Sequence, residues 1–281
     1  GTESDNFAIR GAASAVEATG RRHLIASSIE HEAVLNTLKA LGRLSWRTTL
    51  LPVGDSGIVA PEALRDMIAP DTALVSVMHA NNEIGTIQPV AALAEMARAK
   101  GALIHTDAVQ SAGKLPIDVR ALGVDLLSVS AHKFGGPKGV GALWIRRGVR
   151  MQPVLTGGKH ERNRRAGTEN VAGIVGFGKA AELAQNRRPE DTKRIETLRD
   201  RLESGLMGEA QGAVTRNGAA TPRIGSTASL FFPGVSGEDL LIALDLAGIA
   251  VSTGAACADH HHVVIDGLDL GDVEHVPSSR C

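Results

Sequence analysis

With 281 residues, 43% of them hydrophobic, and a net charge of -1, the chain is long enough for one large core or two domains. The balanced charge argues against a general nucleic-acid binder, and no uninterrupted apolar run reaches the roughly 18 residues that a membrane span needs. Two cysteines, Cys257 and Cys281, and the lack of a basic-then-apolar leader favour a soluble protein of the reducing cytoplasm over a disulfide scaffold.

In chain order, Phe7, Ala8, Ala12, Ala15 and Val16 recur at helical spacing and predict a helix over residues 3 to 19, with Gly20 as its stop. Gly1-Thr2-Glu3-Ser4 runs straight into that pattern, as if the chain began inside a domain. Short β-like runs then alternate with helical ones: 23–26 with helix 32–41, 48–53 with helix 61–68, 74–78 with helix 90–99. Further strands are expected at 103–105, 126–129 and 140–145. This rhythm predicts an α/β fold with a mostly parallel sheet covered on both faces. Residues 171–185 read as an alanine-rich helix, 186–193 as a polar linker and 195–207 as the first helix of a second unit. The expected division is a large domain over 1–191 and a smaller, incomplete α+β domain over 192–281. The triplet His260-His261-His262 and the acidic residues after it read as a solvated tail and not as a metal site, because three adjacent histidines point in different directions.

In a parallel sheet, ligands bind beyond the carboxyl ends of the strands. Ser27, Ser28 and His31 follow one predicted strand, Asn81-Asn82-Glu83 another, Asp107 and Gln110 a third, and Ser130, His132 and Lys133 a fourth. Lys133 opens the glycine-rich stretch Phe134-Gly135-Gly136-Pro137-Lys138-Gly139, where a strand end aims the amine and small residues admit a flat cofactor. A lysine and an aspartate converging there suit pyridoxal phosphate, with a carboxylate for the ring nitrogen. Gly1 and Thr2, ahead of a helix, offer amide and hydroxyl donors to a phosphate.

Six blocks carry a resemblance. They are Gly1-Thr2-Glu3-Ser4-Asp5-Asn6 with Glu30-His31; His79-Ala80-Asn81-Asn82-Glu83-Ile84-Gly85; His105-Thr106-Asp107-Ala108-Val109-Gln110-Ser111; the Lys133 stretch; Arg164-Arg165-Ala166-Gly167-Thr168-Glu169-Asn170; and Ser252-Thr253-Gly254-Ala255-Ala256-Cys257. In these the chain resembles the cysteine desulfurases, pyridoxal-phosphate enzymes of the aspartate-aminotransferase fold (fold type I), in their longer-loop branch. The resemblance implies Lys133 as the lysine that carries the cofactor, Asp107 as the partner of its ring nitrogen, and His31 as a residue stacked on the ring that helps to move protons. It further implies Asn82 and Gln110 on the ring and its 3-oxygen, and Gly1, Thr2, Ser130 and His132 on the phosphate. Thr168 would reach the neighbouring subunit's phosphate site, which implies a homodimer. Cys257 would be the nucleophile that takes sulfur from L-cysteine, leaving alanine, and passes it to an acceptor protein of iron-sulfur cluster assembly or tRNA thiolation.

The chain departs from the family pattern at both ends. The Asn-rich segment that usually precedes the Gly-Thr motif is missing, and no substrate-carboxylate arginine is found beyond Cys257, where Arg280 is the only arginine. The expectation is therefore a desulfurase shortened or altered at its ends. A related lyase or aminotransferase, such as a selenocysteine lyase, and an inactive scaffold are the alternative readings.

Overall fold

The computed structural model describes residues 1–210, 213–218 and 221–253, together with the backbone of strand His262–Asp266. Helix α1 (Thr2–Val16) comes first. Strand β1 (His23–Ser27), α2 (Glu32–Gly42), β2 (Arg47–Leu51), α3 (Pro61–Met67), β3 (Thr72–Ser76), α4 (Val90–Ala99), β4 (Leu103–Asp107), α5 (Val119–Leu122), β5 (Leu126–Ser130) and β6 (Gly141–Ile145) follow. The strands form one sheet in the order β2-β1-β3-β4-β5-β6, parallel except for the antiparallel edge strand β6.

Alternation along the strands divides the core into two faces. Leu24, Ala26, Leu74 and Leu126 point to one, where Ala8, Ile9 and Ala12 of α1 and Val34, Leu38 and Leu41 of α2 cover them. Ile25, Val75, Ile104 and Leu127 point to the other, against Leu64 of α3 and Val90, Leu93 and Ala97 of α4. β1 and β3 are buried along their whole length because both faces are covered, whereas edge strands β2 and β6 are largely exposed. The chain steps outward from β1 to β2 and then returns to the far side of β1 with β3. Right-handed crossovers in opposite directions put α2 and α3 on opposite faces and open a crevice at the strand ends between β1 and β3.

Helix α6 (Val171–Glu209) runs unbroken through Pro189, so residues 186–193 are helical and not a linker. Polar exposure on most sides hides such a helix from a periodicity reading, and a proline at mid-length reads as a break. The proposed division at residue 191 therefore falls inside a helix. The second sheet is antiparallel, with β7 (Thr215–Arg216), β8 (Thr227–Phe231) and β9 (His262–Asp266) in that order. Helix α7 (Gly237–Leu246) lies between β8 and β9 in the chain, capped by the Ser236 hydroxyl, which accepts from Asp239 N. β9 corrects the reading of this segment as a solvated tail: Val263-Val264-Ile265 is a β-branched run that pairs with β8. His260, His261 and the residues after Asp266 lie outside the described residues.

The two parts of the chain meet at the turn carrying Asn82. Ile87 N donates to the Pro222 carbonyl (2.9 Å) and Ile224 N to the Gly85 carbonyl (2.8 Å). Gly85 has φ +76°, and a Cβ there would stand 3.0 Å from Thr227 Cβ, so both backbone conformation and close packing call for glycine. Glu203 of α6 grips the same segment. Its carboxylate is 2% exposed and accepts from both Nη atoms of Arg223 at 2.9 Å and from Arg216 Nη1 at 2.8 Å.

Candidate functional site

Four strand ends bring the polar groups together. Asp107 is the last residue of β4; its Oδ1 accepts from Val109 N at 2.8 Å, and the side chain is buried. Burial raises its pKa, while the Val109 N–H, His31 and Lys133 pull it back down. Such a carboxylate gains by pairing with a cation. Ser130 ends β5, and its hydroxyl lies 2.9 Å from His132 Nδ1. Burial and the neighbouring Lys133 hold the His132 imidazole below its ordinary value. Lys133 is half-buried within the single 3-10 turn Ala131–Phe134, which Gly135 closes at φ +81°.

After β1, His31 caps α2: its Nδ1 accepts from Ala33 N at 3.0 Å. After β3, buried Asn81 builds the turn through its Oδ1, which accepts from Glu83 N and Ile84 N, both 2.9 Å. Asn81 Nδ2 also donates to the Ile29 carbonyl (3.1 Å), tying this turn to the His31 segment and leaving Asn82 half-exposed. Gln110 is buried, its Oε1 accepting from Lys114 Nζ at 3.3 Å. Thr2 opens α1, and Thr2, Asn6, Arg10, His31 and Asn36 line an open depression of about 320 Å³. Gly141 lets β6 pass close to that helix start, since a Cβ there would stand 2.7 Å from the Val129 carbonyl oxygen and 3.5 Å from Gly1 N. Thr168 is exposed on the loop before α6, near Arg165, which pairs with Glu3 of α1 at 2.9 Å. Cys257 lies outside the described residues.

Three buried groups around the site were not assigned roles from sequence. Glu30 is buried, its Oε1 accepting from the Ser27 hydroxyl and from Met78 N (2.7 Å) while Oε2 has no partner. Burial pushes its pKa up to about 8. Asp5 of α1 is raised to about 8 as well, first by burial and then by the charge of Asp107. His105, fully buried, spans the sheet from Ser76 Oγ (2.8 Å) to Ser128 Oγ (2.9 Å) and is held neutral by burial, its pKa lowered to about 3. Three successive polar residues in a central strand, His105-Thr106-Asp107, are the available signal for His105.

The donor set fits pyridoxal phosphate. A buried carboxylate suits a protonated ring nitrogen, an amine stands at the next strand end, and the start of the fifteen-residue helix α1 with Thr2, Ser130 and His132 suits a dianionic phosphate. Among the described residues, no group of three His, Cys, Asp or Glu side chains is placed to hold a metal ion, and no helix is long and apolar enough to cross a membrane.

A mostly parallel sheet with this lysine, carboxylate and anion-donor set at its carboxyl edge defines a pyridoxal-phosphate-dependent α/β protein of fold type I. The chain belongs to the aminotransferase class-V family, whose model matches residues 1–271. It is 51% identical over 257 residues to a protein named cysteine desulfurase IscS from Methanosarcina thermophila, covering 92% of this chain and 63% of that relative. It is 48% identical to the cysteine desulfurase IscS of Dictyoglomus turgidum, covering 92% of this chain and 65% of the relative. The chain thus spans just under two thirds of the length of these relatives. Among solved structures, a NifS-like protein superposes with a TM-score of 0.87 at 40% identity, covering 94% of this chain and 74% of the other. DndA from Streptomyces lividans superposes with a TM-score of 0.82 at 36% identity, covering 94% and 80%.

Proposed function

We propose that this chain is the larger part of a cysteine desulfurase, converting L-cysteine to L-alanine while the sulfur is taken up as a persulfide. The observation that carries the reading is the convergence of Asp107, Ser130 and Lys133 at the adjoining ends of β4 and β5, in a chain 51% identical to a protein of that name. Pyridoxal phosphate, when bound, supplies an electron sink that weakens the bonds of the substrate's α- and β-carbons.

Burial raises the pKa of Asp107, so a protonated ring nitrogen would be the partner that draws out its negative charge, and the protein shell around the carboxyl would keep that pairing dry. Thr2, Ser130, His132 and the helix amides following Gly1 would hold the phosphate, while Asn82 and Gln110 would orient the ring. Lys133 would anchor the cofactor, and its amine, when free, would take the α-proton of the substrate. Cys257 as thiolate attacks the substrate sulfur. A carbon-sulfur bond breaks, a sulfur-sulfur bond forms on Cys257, and a proton returned to carbon completes alanine.

The working unit is read as a homodimer, with Thr168 serving the partner's phosphate site. Val171 and Val175, 65% and 67% exposed at the start of α6 just after Thr168, support it as an apolar surface in need of cover. The acceptor is read as a protein of iron-sulfur cluster assembly or tRNA thiolation in the cytoplasm.

Persulfide trapping tests the reading. The protein loaded with pyridoxal phosphate and given L-cysteine should carry one extra sulfur on Cys257, and Cys257→Ser should carry none. Alanine formed without sulfur on Cys257 would favour a related lyase instead.

A further inference from the structure

We propose that Phe177 of helix α6 is a positioning residue for Lys133: acting through the ring of Phe134, it fixes the turn from which the amine reaches the cofactor. This rests on the reading above that Lys133 carries the cofactor, and it adds the element that aims it.

The turn that holds Lys133 is weakly fixed by its own backbone. It is one turn of 3-10 helix, Ala131–Phe134, closed by Gly136 N donating to the Ala131 carbonyl at 2.9 Å. Beyond it the chain runs through Gly135, Gly136 and Gly139. A single 3-10 turn has poor hydrogen-bond geometry, and glycine-rich backbone is the easiest to rearrange. An amine that must stand at one place against a flat ring needs more support, because a displacement of about 1 Å costs about 100-fold in rate.

The support comes from α6. The Phe177 ring centroid lies 5.6 Å from that of Phe134 with the planes tilted by 58°, within the range of attractive aromatic pairs. Gly113 closes in on the same side chain: a Cβ there would stand 2.7 Å from Phe134 Cβ and 3.3 Å from Ala184 Cβ of α6. Gly176 lets the helix reach the far end of the loop, since a Cβ there would stand 2.6 Å from Pro137 Cγ. Phe177, Ala180 and Ala184 follow one another at helical spacing, and Ala180 is buried, so one face of α6 is pressed on the loop. One ring among small residues makes that face a socket for Phe134. With three residues per turn, Lys133 and Phe134 leave the 3-10 turn roughly 120° apart. Seating Phe134 therefore fixes the rotation of the turn and, with it, the direction of the Lys133 side chain.

The same helix holds a second segment of the site. Thr192 Oγ1 donates to the Lys114 carbonyl (3.1 Å), and Lys114 Nζ donates to Gln110 Oε1 (3.3 Å). Helix α6 thus keeps the Lys133 turn and the Gln110 segment in one frame, and Phe177 is the side chain through which it acts on the turn.

The test uses the full chain, with pyridoxal phosphate added, and three variants. Phe177→Leu keeps apolar bulk without a ring, Phe177→Ala removes both, and Phe177→Tyr keeps the ring at a half-buried position where a hydroxyl can reach water. Stopped-flow absorbance follows formation of the visible band that needs Lys133, and the pH midpoint of that band is read at equilibrium, well below each thermal midpoint. Phe177→Leu and Phe177→Ala should form the band about 10- to 100-fold more slowly than wild type, with a displaced pH midpoint, and Phe177→Tyr should restore both. Where Phe177→Ala does not fold, Phe177→Leu decides. A merely structural role would lower the thermal midpoint and leave the rate and pH midpoint unchanged, and that outcome in Phe177→Leu would overturn the proposal alone. Equal defects in Phe177→Tyr and Phe177→Leu would overturn it too. A wild-type chain with no band that needs Lys133 would overturn the cofactor reading and the proposal together.

Discussion

Glu30 and Asp5 sit beneath the site as carboxyls whose pKa values, each about 8, lie far above the ordinary 4.5 and 3.8. The folded protein therefore binds protons that the unfolded chain has already released. Their contribution to stability is complete below the unfolded pKa and disappears as pH rises from about 4 to about 8. His23 and His105 act in the opposite sense. Burial lowers them to about 4 and about 3, so their contribution is present above 6.5 and disappears as pH falls. Glu30→Gln cannot ionise, and it should reduce the loss of stability between about pH 5 and about pH 8 by a few kcal/mol, read from urea unfolding at both values. Identical pH slopes for variant and wild type would contradict the assignment. Asp107 and Lys133 are legible in the sequence because each follows an apolar run and opens a turn. Glu30 is not, since a carboxylate beside His31 reads as solvated until the fold closes over it. Its bond to Met78 N joins residues far apart in the chain.

Among the elements, α4 is found where its apolar spacing puts it, Val90–Ala99, because one face is buried and one is not. Helix α6 lacks that contrast, with only Gly173, Ala180, Arg199 and Glu203 buried along its thirty-nine residues. Exposed Pro189 within it deletes a backbone donor and crowds the preceding turn. Pro189→Ala should raise stability by about 1–3 kcal/mol, seen as a higher thermal midpoint; a lower midpoint would mean that the proline sets a bend needed by the packing. Near the other end of the helix, Glu203 is enclosed by Arg216 and Arg223. Glu203→Ala leaves a buried guanidinium without its partner and should cost about 3–5 kcal/mol in chemical denaturation. The same change should loosen the turn that carries Asn82, because Arg223 bridges to Thr86 within it.

At the scale of the whole molecule, the parallel sheet and its two covered faces follow from alternating strands and helices, and the site follows from what stands at their carboxyl ends. The antiparallel sheet was less legible. β7 is two residues long, and β9 opens on the last histidine of a triplet that masks its β-branched run. Exposed Val171 and Val175, with Ile174 between them at 45% exposure, predict self-association through the start of α6. Val175→Glu should shift the sedimentation profile from dimer to monomer, while an unchanged profile would place the interface elsewhere. The central claim, a pyridoxal-phosphate site built on Lys133, is tested most directly by the visible absorbance of the purified chain after addition of the cofactor, before and after L-cysteine, with Lys133→Ala beside it. The account predicts a band that needs Lys133 and shifts when cysteine is added. A band of equal strength in Lys133→Ala, or no band in the wild-type chain, would contradict it.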